Sequence, residues 1–269
     1  MLKLKLKTDT LHNLHLNYPS HREGAGRGYK NPNYLRCLFL FISIFSIKIT
    51  TAQHQYYKTV SADITSQFAD TTKRVTFKTP DSTNTYAPIF NYVLKFYPTI
   101  LLKNIKVYFK PSQTITSVKP TFFSIFKAPQ HRTYKLYFST LTNTTLDSVL
   151  LKNLSYNAKV GLIARQISHV QDLSTTHFFG FIAWYFVHTS RKAINKAEYD
   201  AELKTLEAGL GYQLLGLANE TNFKLRIEKW KSPVGYSAYV RKNGGRYMQP
   251  ETIQNFISDM PIYVSNKYK

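Results

Sequence analysis

Residues 164 to 172 read ARQISHVQD, and on a helix they set Arg165, His169 and Asp172 at i, i+4 and i+7, one polar stripe on one face. A hydrolytic metal site can be built on such a face. Two histidines one turn apart bring both imidazoles to one Zn²⁺, and a glutamate after the first takes a proton from the metal-bound water. Here the spacing is kept and the chemistry is changed. Arg165 stands in the place of the first histidine, and a permanent cation repels Zn²⁺ instead of binding it. Gln166 occupies the general-base position, where an amide cannot take the proton; that help is typically worth about 10² to 10⁴ in rate. His169 alone keeps its competence as a ligand, and a single histidine on a helix is more often a hydrogen-bonded structural residue than a ligand. Arg165 is expected to pair with Asp172, Asp200 or Glu202 and so to fill the space of a metal.

Downstream, the stretch Asp200-Ala201-Glu202 is followed by Leu206, Gly209 and Gly211. Together with the 164–172 spacing it resembles the active helix and the later Glu-Ala-Asp helix of exported, zincin-like bacterial metallopeptidase homologues, with the two acids exchanged. FYPTILLKNIKVYFK and HRTYKLYFST are similar to the segments that precede the active helix in that group, and GGRYMQPETI to its closing turn and helix. The resemblance covers roughly residues 86–258. It implies a former zinc site at His169 and Asp200, with Arg165 in place of the first ligand and Gln166 in place of the base. It therefore implies an inactive homologue that needs no cofactor and acts as a binding or structural protein. Its former cleft would accept a peptide or a protein segment against a sheet edge. The alternative is an active, zinc-dependent hydrolase with a re-drawn ligand set of His169, Asp172 and Asp200.

Several elements must position these groups. Val160, Ile163, Ala164, Ile167 and Val170 form one apolar stripe and predict a helix over 155–173. A long helix is predicted over 194–218, interrupted at Gly209 and Gly211, and a last one from Pro250 with Glu251 just inside it. Residues 177–188, HFFGFIAWYFVH, are apolar on all sides and read as a buried helix or as a lid or membrane-facing surface. KNGGR at 242–246 is a turn. Earlier in the chain, apolar spacing predicts a helix over 86–102, and alternation predicts strands at 105–110 and 133–140. TFFSIFKAPQHR between them reads as an aromatic-rich loop or short helix. Residues 53–84 read as a loose lead-in with one short strand near RVTFK. The order gives an α+β domain: a helix, a small sheet, then a C-terminal helical block carrying the site.

Composition bounds the partners. The 269 residues hold 36 Lys and Arg against 15 Asp and Glu, a net +21 that favours acidic partners, among them an anionic envelope surface. The charge is spread along the chain and no nucleic-acid-binding signature accompanies it, which argues against nucleic acid. CLFLFISIFSI at 37–47 follows Arg36 and precedes small residues at Thr50 and Ala52. A transmembrane helix needs about 20 apolar residues, so this run fits a signal peptide over 34–52, cleaved before Gln53, and leaves no transmembrane helix in the mature form. Residues 1–33 read as a leader or a mis-assigned start, and 53–269 as the zincin-like domain. The chain is then expected in the periplasm, on the envelope or outside the cell. Cys37, the sole cysteine, lies within the signal, so the mature domain would carry neither a disulfide nor a thiol nucleophile.

Overall fold

The computed structural model describes residues 56–68, 74–178, 180–181, 190–226 and 247–264. All of them belong to the second of two units of the chain, 52–269. Residues 1–33, the segment 34–52 expected as a signal peptide, the turn expected at 242–246 and most of the 177–188 run lie outside the described residues.

The architecture is mixed α+β. A short helix α1 (Ala62–Ser66) leads to strand β1 (Val75–Phe77) and helix α2 (Pro80–Leu94). The predicted 86–102 helix is thus shifted. Pro80 sits in the first turn, where its missing N–H costs nothing, and the chain beyond Leu94 runs through turns up to the sheet. Part of the expected loose lead-in is therefore helical. Strands β2 (Asn104–Lys110), β3 (Thr116–Pro120) and β4 (Thr133–Ser139) follow. Three long helices come next: α3 (Tyr156–Thr175), α4 (Arg191–Glu207) and α5 (Gly211–Lys224). Helices α6 (Pro250–Asp259) and α7 (Pro261–Val264) close the described chain.

The sheet has the order β1-β2-β4-β3, with β1, β2 and β4 parallel and β3 antiparallel to β4. Alternation divides its two faces. Ile105, Val107, Tyr134, Leu136 and Phe138 are fully buried against the helices, where Phe90 of α2 meets Phe138 edge-on at 6.1 Å. The alternate residues, Lys106, Tyr108, Lys110, Lys135 and Tyr137, take the other face.

Helix α3 runs through the core. Ser155 caps it by accepting from the Ala158 N–H, and its Val160, Ile163, Ile167 and Val170 are buried as the stripe predicts. Burial extends beyond the stripe, to Arg165, Gln166 and Ser168. Gly161 explains how α5 closes on it: a Cβ there would lie 2.3 Å from the Gln213 carbonyl oxygen. The interruption after α4 is a glycine cap. Gly209 takes φ +90 and the Leu210 N–H turns back to the Thr205 carbonyl at 3.1 Å, so α4 and α5 are separate helices.

Candidate functional site

Helices α3 and α4 cross with their polar residues facing each other. Arg165 Nη1 lies 3.4 Å from Glu202 Oε1, and its guanidinium covers the Tyr247 ring at 4.4 Å. Both side chains are almost wholly buried. The other Glu202 oxygen accepts the Met248 N–H at 2.6 Å, which ties the chain just before α6 to the same carboxylate. Burial pushes the Glu202 carboxyl up, to about 7, against the pull of Arg165 and the Met248 N–H. The Arg165 Nε has no hydrogen-bond partner among the described residues.

One turn along α3, His169 Nε2 meets Glu198 Oε2 at 3.1 Å. This carboxylate is Glu198, not the expected Asp200. Two residues along a helix turn the side chain by roughly 200°, so Asp200 leaves that face and pairs with Lys196 instead. Asp172 pairs with Lys204 of α4. Beneath these pairs runs a buried hydroxyl chain that sequence pattern does not reveal. Tyr97 meets Ser168 at 2.9 Å, Ser168 meets Thr205 at 3.0 Å, and Tyr97 also donates to the Ala164 carbonyl. Burial drives the Tyr97 phenol up to about 12, so it stays a donor. The loop after α2, α3 and α4 are joined by one polar seam.

The site opens on one side. A cleft of about 350 Å³ lies between β3 and the two helices, lined by Thr116 and Val118 on the strand, Gln166 and His169 on α3, and Ile194 and Glu198 on α4. Among the described residues strand β3 is one of the two edges of the sheet, β1 being the other. The β3 ladder is fixed by Ser139 N–H to Ile115 C=O at 2.8 Å and Thr121 N–H to Thr133 C=O at 2.9 Å. Odd residues therefore turn their backbone groups to β4, while Thr116 and Val118 turn theirs to the other side, where no strand pairs with them among the described residues. Sequence reasoning missed β3 altogether.

Zinc, the metal of the alternative hydrolase reading, does not fit these residues. His169 and Glu198 supply two donors, the next side chain up the face is a guanidinium, and Glu202 is engaged by that guanidinium and a backbone N–H. Among the described residues no group of three or more His, Cys, Asp or Glu converges as a metal cage would. In comparisons with protein families, curated proteins and solved structures, the chain matches none of them.

Proposed function

We propose that this chain is an exported, zincin-like protein without peptidase activity, whose cleft holds an extended peptide or protein segment as an added strand beside β3. The observation that carries the reading is the convergence of an open strand edge with the Gln166 amide and the His169–Glu198 pair in one cleft. A peptide laid along an edge gains main-chain hydrogen bonds from that edge, and pockets below select alternate side chains. Thr116 and Val118 offer those groups. Glutamine suits the role better than glutamate would, because an amide both donates and accepts, as a peptide bond requires. The Arg165–Glu202 pair keeps the two helices joined in place of a shared metal. Export rests on the 34–52 segment. Among the described residues no helix is long and apolar enough to cross a membrane.

The test is retention of peptides from a casein digest on the immobilised chain, read by mass spectrometry. Intact peptides are expected to be held and released uncut. Val118→Pro removes an outward N–H and leaves the β4 ladder alone, and should weaken retention about fivefold, the worth of one hydrogen bond. Absence of retention sinks the binding reading. Peptides cut in the presence of Zn²⁺, with the cutting lost in His169→Ala, would instead support the re-drawn hydrolase.

A further inference from the structure

Four large apolar side chains stand in solvent at one end of the sheet. Phe122, Phe123 and Phe126 are 70%, 79% and 67% exposed, and Leu102 is 67% exposed. Parallel β2 and β4 both begin at this end and β3 finishes there, so the loops that carry these residues are neighbours. The three phenylalanines form an edge-on cluster on the turn after β3, with centroids 5.3 and 6.3 Å apart, and Phe126 reaches Phe178 at 5.3 Å. A soluble chain gains nothing by holding three phenylalanines in water.

The surface beside them is cationic. No Asp or Glu occurs between Asp81 and Asp147, whereas eight Lys and Arg do. On the face of the sheet away from the helices, Lys106 lies in register with Lys135 and Lys135 opposite Lys119, a row of three lysines across three strands. Lys127 is exposed on the phenylalanine loop itself. Like charges directly opposite each other in a ladder are destabilising.

We infer that this end of the sheet docks on an anionic phospholipid bilayer, with Phe122, Phe123 and Phe126 entering the headgroup–acyl boundary and the lysine row lying on the phosphates. Apolar insertion beside a basic surface is the combination that holds a protein in that interface. A nucleic acid suits the face less well. Tyr108 and Tyr137 stack on each other at 5.0 Å, Lys110 and Lys119 lie over the Tyr137 ring and Lys135 over that of Tyr108, so these two rings are already engaged. This inference stands independently of the cleft.

The apolar run at 37–47 could by itself carry the full chain to vesicles, so the measurement must be local. A polarity-sensitive dye is attached to the full chain in Phe123→Cys with Cys37→Ser, and in a control Asn219→Cys with Cys37→Ser, an exposed position on α5. With vesicles of equal phosphatidylglycerol and phosphatidylcholine, the dye at 123 is expected to brighten and shift blue, and the dye at 219 to stay unchanged. Each of Lys106→Gln, Lys119→Gln and Lys135→Gln should raise the lipid concentration for half-binding about fivefold. No response at 123, an equal response at 219, or an equal response with phosphatidylcholine alone overturns the inference. So does a single-stranded oligonucleotide that binds the chain while vesicles leave position 123 unchanged.

Discussion

The junction of α3 and α4 and the outer face of the sheet both place charged side chains in register on regular elements, and they treat them in opposite ways. At the junction each basic side chain meets a carboxylate on the other helix: Arg165 with Glu202, His169 with Glu198, Lys204 with Asp172. On the sheet face lysines meet lysines. Charge at the junction is internally answered and holds the fold. Charge on the sheet meets no carboxylate among the described residues, only the rings of Tyr108 and Tyr137. The same residue types are architecture in one place and a surface in the other, and removing them should have effects of opposite sign.

The largest effect is expected at Arg165. Replacing it with Met removes one partner of a buried pair and leaves Glu202 with its burial and without its cation, a loss of about 3–5 kcal/mol where the carboxyl is ionised. The loss should be smaller in acid, where Glu202 takes up a proton. Glu202 also gives the unaltered chain a pH signature. Its folded pKa, about 7, lies above the ordinary 4.5. Below 4.5 the stabilising protonated form is present in full; between 4.5 and 7 the folded chain keeps a proton that the unfolded chain has released. This contribution therefore falls as pH rises through that window and is gone above it. Chemical denaturation at pH 5 and pH 8 measures both effects, and Glu202→Gln should flatten the slope assigned to this group. An Arg165→Met protein as stable as its parent at pH 8 would remove the distinction between the two regions.

Strand β3 lies between these extremes, with one edge answered and the other open, so it sharpens the comparison. Ser117→Pro removes a group that points to β4 and should cost about 1–3 kcal/mol. Val118→Pro, one residue on, removes an N–H that points outward and should cost less, as proline is tolerated on a free edge. Thermal melts of the two variants read the difference directly. Equal losses would mean that the outer edge of β3 is already engaged.

How much of this could be read beforehand depends on whether a signal is local. The helix over 155–173, the break at Gly209 and the strands 105–110 and 133–140 rest on periodicity or on a single backbone requirement, and each has its counterpart in α3, in the cap after α4, and in β2 and β4. Strand β3 was illegible because TSVKP offers one apolar residue, a lysine and a proline; it becomes a strand only by pairing with β4. The pairing at the site was half legible. That the acids at 200–202 would face 165–169 followed from the resemblance, but which acid does so depends on the rotation of α4, and that put Glu198 where Asp200 was expected. The Tyr97–Ser168–Thr205 chain had no sequence signature, because hydroxyl residues scatter and only tertiary packing brings them together.

The smallest expected effect carries the opposite sign. Lys135 is flanked by Lys106 on β2 and Lys119 on β3. Its alternate neighbours, Tyr134 and Leu136, point into the core, so changing Lys135 leaves the packing untouched. Lys135→Gln keeps the length of the side chain and removes one charge from two like-charged pairs, each unfavourable by about 0.2–1 kcal/mol. The contact of Lys135 with the Tyr108 ring, at 5.9 Å, offsets part of that gain. The variant should therefore melt slightly higher than the parent at low salt. Raising the ionic strength should close the gap, because screening relieves the same repulsion in the parent. If Lys135→Gln melts lower at low salt, the lysine row is held together by contacts of its own, and the sheet face belongs with the junction.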